Sequence, residues 1–237
     1  MKRSQINRAI ARAEADFARV GYVLPGFAGW SLAEWEAMGD AARTLIETGH
    51  GWDVTDFNEG DFDRKGLLLF TVRNGAIAGG AGNRPYAEKI MIARQDQLTP
   101  MHRHAQKIED IINRGSLREG ATLAVKLFDS DAKGELCRTR TIVAHLDGVA
   151  RDVAPGTTIE LKPGESITLF PGTFHAFWGE GGDVVVGEVS SVNDDKADNF
   201  FAEPLARFSD IEEDELPYRP LVTDTHAAFA RAILTAE

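Results

Sequence analysis

From residue 51 onward the chain is cut into short apolar runs by glycine, proline, asparagine and aspartate, and this texture limits the fold more than any other feature. The runs are Gly66–Arg73, Glu88–Ala93, Thr122–Phe128, Arg140–His145, Thr157–Leu161, Ser166–Phe170 and Asp183–Val189. Each has the length of a strand, and their β-branched residues suit a pleated, half-buried surface. Asn74-Gly75, Asp147-Gly148 and Pro163-Gly164 lie between runs and carry tight-turn chemistry. The pattern predicts antiparallel strands in a sandwich or barrel. With 237 residues, 43% of them hydrophobic, the chain can bury a sizeable core without disulfides.

The flanks read differently. Ile6, Ile10, Ala13, Phe17 and Val20 recur at the spacing of one helical face, with Ser4 as candidate cap and Gly21 as stop. After the turn Leu24-Pro25-Gly26, Ser31 and Glu34 have capping-box spacing and open a second helix ending near Gly49. Trp30 and Trp35 are expected to pack this helical layer onto the rest of the chain. Ser190–Arg219 is rich in Asn, Asp and Glu, with Phe200, Phe201 and Phe208 interspersed, and Thr225–Ala236 reads as a short helix. No fixed-period repeat or charged linker interrupts the chain. One domain over residues 1–237 is expected, with a helical layer (1–50), a β core (51–190) and a C-terminal cover (191–237).

A net charge of −11 lacks the basic footprint that nucleic acid or an anionic membrane requires. Cys137 is the single cysteine, so no intramolecular disulfide can form. The opening stretch MKRSQINRAIARAEADF has no apolar signal core, and no apolar run reaches the roughly 18 residues of a membrane span. A soluble, cytoplasmic protein with no nucleic-acid or membrane partner is expected.

The chemistry concentrates in Pro100-Met-His-Arg-His-Ala-Gln-Lys-Ile-Glu109. On a strand, His102 and His104 point to the same face, and a turn then returns Glu109 on the neighbouring strand. Two imidazoles and a carboxylate suit Mn2+, Fe2+, Co2+ or Zn2+. A fourth ligand is expected from a distant strand, and His175 in Phe170-Pro-Gly-Thr-Phe-His175 is the candidate, Gly172 allowing the sharp bend before it. A lone His-x-His pair is weak; the offset of Glu109 and the Pro-Gly-x-x-His segment favour a metal site. His50, His145 and His226 have no neighbours at ligand spacing, and Trp52 reads as a core aromatic. Gly79-Gly80-Ala-Gly82 lacks the context of a phosphate loop.

These two segments resemble the paired motifs of the cupin superfamily, G-x5-H-x-H-x3,4-E-x6-G and G-x5-P-x-G-x2-H-x3-N. His102, His104 and Glu109 match the ligands of the first motif, and Gly172 with His175 matches the second. Asp96 stands in place of the first Gly, Gly115 comes one residue early, Pro171 adjoins Gly172, and Gly179 replaces the closing Asn. His102 through Gly115, together with Gly187-Glu-Val-Ser-Ser-Val-Asn-Asp-Asp195 and the two N-terminal helices, looks like the D-lyxose isomerase family over nearly the whole chain.

The resemblance implies a mostly β cupin jelly-roll barrel with N-terminal helices and a C-terminal covering segment. It implies a Mn2+-dependent aldose–ketose isomerase interconverting D-lyxose and D-xylulose, with D-mannose and D-fructose as related sugars. Such a reaction needs a divalent ion to hold two oxygens and a separate carboxylate to carry the carbon-bound proton. Glu203 is the first candidate for that carboxylate, Asp214 the second and Glu188 the third, each with a solvated or outward-facing role as its alternative. Lys107 is either an electrostatic aid to the intermediate or a solvated turn lysine. Lys107, Glu109, Glu203, Asp214 and Trp178 are the expected sugar contacts, and a homodimer is expected from exposed sheet edges. Two rival readings use the same residues: an iron-dependent cupin oxygenase and a non-catalytic sugar-binding cupin.

Overall fold

The computed structural model describes residues 1–79, 83–194 and 197–236. Gly80–Gly82 of the expected glycine loop and Asp195 lie outside the described residues. Helix α1 (Arg3–Arg19) is followed by α2 (Leu32–Met38) and α3 (Arg43–Glu47). The strands are β1 (Gly51–Thr55), β2 (Leu67–Arg73), β3 (Tyr86–Ala93), β4 (Thr99–Arg103), β5 (Glu109–Ser116), β6 (Thr122–Ser130) and β7 (Leu136–Cys137). They continue with β8 (Ile142–Leu146), β9 (Val149–Val153), β10 (Thr158–Leu161), β11 (Ser166–Leu169), β12 (Phe174–Glu180), β13 (Val184–Ser191) and β14 (Phe200–Phe201), and α4 (Val222–Ala236) closes the chain.

The strands form two antiparallel sheets. The larger runs β1-β2-β3-β13-β5-β11-β8-β9; the smaller runs β10-β6-β12-β4-β14, with β7 paired to β6. Alternate residues of both sheets point into the space between them, as strand periodicity requires. Leu69, Met91, Ile111, Val184 and Val186 of the larger sheet meet Leu123, Val125, Leu127 and Phe177 of the smaller in one buried cluster. This is the mostly β, antiparallel two-sheet architecture that the texture of the sequence predicts, and it agrees with the cupin fold that the resemblance implies.

The other face of β1, β2 and β3 is covered by α1. Ile6, Ile10, Ala13 and Phe17 are buried there against Trp52, Val54, Leu68, Phe70, Ile90 and Ile92. The helical face is the expected one, but the cap is not: Lys2 holds that position, and Ser4 is buried in the first turn. The second helix is interrupted at Gly39, whose φ of +50° only glycine adopts readily. Ser31 does cap α2, and Glu34 returns the bond to its backbone N–H at 2.7 Å. Asn74-Gly75 is not a hairpin turn, because the chain runs on from Asn74 to Pro85 before β3 begins. Among the described residues, no helix is long and apolar enough to cross a membrane.

Candidate active site

Opposite sheets supply the two halves of the site. His102 on β4 and His175 on β12 are directly paired across the smaller sheet. A bulge falls between His175 and Phe177, where one residue of β12, Ala176, stands opposite two of β4, Pro100 and Met101, so Thr99 and His102 share the inner face despite their odd spacing. His104 follows β4, and Glu109 opens β5 in the larger sheet. The turn between them therefore crosses from sheet to sheet rather than joining neighbours. Gly172, at φ +88°, makes the bend that brings the chain into β12.

Each imidazole is oriented by a carbonyl. His102 Nδ1 lies 2.7 Å from Pro100 O, His175 Nδ1 lies 3.2 Å from Thr173 O, and His104 Nδ1 meets Asp198 O. A carbonyl oxygen only accepts, so Nδ1 carries the proton on all three rings and Nε2 keeps its lone pair. The three rings offer nitrogens lying within 4.8 Å of one another. Glu109 Oε1 stands 3.1 Å from His175 Nε2 and 3.6 Å from His104 Nε2, fully buried and with no hydrogen-bond partner among the described residues.

Protonation state follows from burial. Burial, reinforced by the neighbouring rings, holds His102 far below the usual imidazole range, and burial lowers His104 to about 4. Burial alone would raise Glu109, but the Lys107 ammonium holds its carboxyl well below the ordinary value. At neutral pH His102 and His104 therefore present lone pairs, and Glu109 a carboxylate, within the cluster. Such a set of acceptors is relieved by a cation, and its nitrogen-rich composition fits a borderline divalent ion.

A second polar group adjoins the first on the larger sheet. Lys107 Nζ lies 2.6 Å from Glu109 Oε2, 3.0 Å from Glu188 Oε1 and 3.3 Å from Asn193 Oδ1. Lys89, opposite Glu188 in the β3–β13 register, reaches Glu188 Oε1 at 3.7 Å, and Ser190 Oγ donates to the same oxygen at 3.1 Å. Lys89, Lys107, Glu109 and Glu188 are all buried. Lys107 is thus no solvated turn lysine. Asn199 and Arg207 of the C-terminal segment close the cavity, with Arg207 donating to Asp53 at 2.6 Å.

Three expected sugar contacts stand elsewhere. Glu203 is exposed beyond β14, after Ala202 N–H bonds to Met101 O, and does not line the cavity. Asp214 accepts the backbone N–H and hydroxyl of Ser4 at 2.9 and 2.8 Å, which fixes it at the start of α1. Trp178 follows inward-facing Phe177, so strand alternation turns it outward, where it donates to Glu180. Sequence reading missed Lys89, Asn199 and Arg207. Only Lys89 left a signal: a charge at an inward position of an apolar run, two residues before Met91.

The two-sheet sandwich and its buried three-His, one-Glu cluster define a cupin-type protein. More narrowly, the chain belongs to the D-lyxose isomerase family, whose sequence model matches residues 1–225. It is 48% identical over 220 residues to the D-lyxose/D-mannose isomerase of Serratia proteamaculans, covering 92% of this chain and 94% of that protein. It is 45% identical over 218 residues to the Escherichia coli O157:H7 protein of the same name, covering 91% and 94%. Among solved structures, the L-ribose isomerase of Acinetobacter sp. DL28 in complex with L-ribose superposes with a TM-score of 0.57 at 14% identity, over 90% of this chain and 98% of that one. The Geodermatophilus obscurus L-ribose isomerase superposes with 0.52 at 17% identity, over the same 90% and 98%. These likenesses describe the fold.

Proposed function

We propose that this protein is a metal-dependent aldose–ketose isomerase acting on D-lyxose and D-mannose, the sugars named for its relatives. One observation carries the mechanism: the acceptor-only cluster of His102, His104, His175 and Glu109 shares a cavity with a carboxylate, Glu188, held between two lysines. The three histidines and Glu109 Oε1 would hold the ion, which when bound supplies Lewis-acid polarisation of the sugar's carbonyl and hydroxyl oxygens. Mn2+ is the first choice, with Co2+, Fe2+ and Zn2+ compatible with the same donors.

Glu188 is the proton carrier in this reading. It lies inside the cavity and outside the donor cluster, so its carboxylate is available to take the proton from C2 and return it to C1 of an enediol. Lys107 sits between Glu188 and Glu109 and opposes negative charge as it develops on the sugar oxygens. Lys89 and Ser190 fix the orientation of Glu188. Asn199 and Arg207 would bind sugar hydroxyls, and closure of the segment that bears them excludes water.

Chelated enzyme should turn over no aldose, and added Mn2+ should restore conversion of D-lyxose and D-mannose to their ketoses, at the same rate without oxygen. Full activity after chelation would sink the metal assignment. Dependence on O2 would favour an oxygenase, and sugar binding without conversion would favour a binding protein. A cytoplasmic homodimer completes the proposal, supported by exposed Tyr86, Ile108, Phe170 and Val189 on or beside strands of the larger sheet. A monomer by light scattering would remove the dimer.

A further inference from the structure

Among the described residues, the Lys107 ammonium meets oxygens of two kinds. Glu109 and Glu188 are charged and lie on adjacent elements of the larger sheet, on β5 and β13. The third oxygen, Asn193 Oδ1 at 3.3 Å, is neutral and comes from the chain just after β13. Two carboxylates compete for the ammonium, and either alone would draw it out of position. A fixed neutral acceptor on a third side restrains where the charge rests between them.

Asn193 is itself fixed by an unusual grip. Asn74, buried just after β2, applies its side-chain amide to the backbone of Asn193 as a neighbouring strand would. Asn193 N–H donates to Asn74 Oδ1 at 3.0 Å, and Asn74 Nδ2 donates to Asn193 O at 3.1 Å. The remaining capacity of that amide is also used: Gly75 N–H donates to Oδ1 at 3.0 Å, and Nδ2 donates to Thr48 O at 3.0 Å. Both donors and both acceptor sites are engaged, so the carboxamide has a single workable orientation. The backbone N–H of Asn74 in turn donates to His50 Nε2 at 3.2 Å. A chain of hydrogen bonds thus runs from His50 at the end of the helical layer to the ammonium in the cavity.

We infer that Asn193, clasped by Asn74, is a positioning residue for the isomerisation: its Oδ1 sets where the Lys107 ammonium rests between Glu109 and Glu188. The inference rests on the isomerase reading of this cavity. Neither asparagine lines the cavity. Their effect passes through Lys107. An ammonium displaced toward either carboxylate opposes developing charge less well, while the ground-state sugar loses no contact. The loss should fall on kcat and kcat/KM alike, with KM little changed.

Asn74→Asp keeps the shape but replaces a double donor by a carboxylate oxygen facing two carbonyls, so it should release Asn193. The test compares Asn193→Ala, Asn74→Asp and the double variant on D-lyxose, with wild-type enzyme from the same preparation as control and with metal content and Tm recorded. Turnover by that control separates failure of the inference from failure of the isomerase reading. Asn193→Ala should lower kcat about tenfold with KM within twofold of wild type and full metal content, a change of about 1.4 kcal/mol in the barrier. Asn193→Asp, which keeps an oxygen at the same place but makes it a third carboxylate competing for the ammonium, should not recover that loss, and recovery would show that a neutral acceptor is not what positions Lys107. The double variant should be no slower than the slower single one, because both act through one oxygen. The inference is overturned if Asn193→Ala keeps kcat within twofold of wild type, if its loss appears in KM, or if the two effects multiply. Should Asn74→Asp fail to fold, Asn193→Ala and Asn193→Asp decide alone.

Discussion

The carboxylate of Asp198 accepts the backbone N–H of Lys107 at 2.9 Å and that of Ala105 at 2.6 Å, while its backbone carbonyl faces Nδ1 of His104. Gln106 N–H adds longer bonds at 3.2 Å. One residue of the C-terminal segment therefore holds the turn that carries the chain from His104 in one sheet to Glu109 in the other.

The first prediction concerns this contact. Asp198→Ala leaves three backbone donors of the turn without their charged acceptor but keeps the carbonyl that orients His104. Bonds to a charged group are worth more than neutral ones, so a stability loss of about 2 kcal/mol is expected. The turn should loosen, weakening metal affinity. Thermal unfolding and a metal titration check this, and a variant with unchanged melting and unchanged affinity would show that the bonds are dispensable.

The identity of the proton carrier gives the second prediction. Glu188→Gln should keep metal and sugar binding and lose on the order of 10²–10⁴ in turnover, since an amide keeps the shape but takes no proton. Glu203→Gln, altering an exposed side chain outside the cavity, should remain close to wild type. Reaction in D2O should place deuterium on the sugar carbon. The reverse ranking of the two variants would return the role to Glu203, and retention of the substrate's own hydrogen would favour a hydride shift.

The contrast between these two glutamates shows what sequence can and cannot tell. The histidine–glutamate cluster was legible because His102, His104 and Glu109 are near neighbours in sequence and His175 comes after a Pro-Gly turn. Glu188 was legible only as one of three acids, since the inward face of β13 is decided by its register with β3 and β5, which no local pattern encodes. Glu203 drew attention because it lies in the segment that also brings Asn199 and Arg207 to the cavity, yet Glu203 itself is exposed after β14. Among the strands, β9 escaped notice because Val149–Val153 is largely exposed and carries Arg151 and Asp152. The bulge in β4 was invisible for a related reason: it exists only in the pairing with β12.

Acid sensitivity gives the third prediction, through a histidine outside the three-histidine cluster. His50 Nε2 accepts the Asn74 N–H, so its Nδ1 carries the proton and donates to Thr48 Oγ1 at 2.9 Å. Burial, aided by Arg84, lowers its pKa to about 4 from the usual 6.5. The unfolded chain thus binds a proton at His50 before the folded one does. The stabilising contribution is complete above pH 6.5, declines as pH falls, and is gone below about 4. At pH 5 the linkage amounts to roughly 2 kcal/mol relative to neutral pH. Urea midpoints of chelated protein at pH 7.5 and 5 should differ by less in His50→Gln than in wild type. An equal drop in both proteins would remove His50 from the account.

The last prediction comes from the size of the cavity. Free space among the inward side chains amounts to about 30 Å³, enough for an ion or a little water. An ion fits that space more readily than a pentose with its ring and hydroxyls, so sugar binding should require the C-terminal segment to move. That segment is the part of the wall held by the fewest ladder bonds. Strand β14 pairs with β4 at two positions, Phe200 with Arg103 and Phe201 with His102, whereas β12 pairs with β6 along its whole length. Side chains supplement the short ladder, with Phe201 against Phe57 at 5.5 Å and Arg207 bonded to Asp53. Local opening of such a segment costs less than unfolding either sheet. Residues 199–207 should therefore exchange backbone hydrogens faster than β6 and β12 in sugar-free enzyme. They should slow at least about tenfold, an opening free energy higher by about 1.4 kcal/mol, when saturating sugar closes the segment over itself. Asp53→Asn, weakening the hold on Arg207, should speed exchange in the free enzyme and raise KM. Exchange across 199–207 that is as slow as in β12, and unmoved by sugar, would mean that the substrate enters by another route.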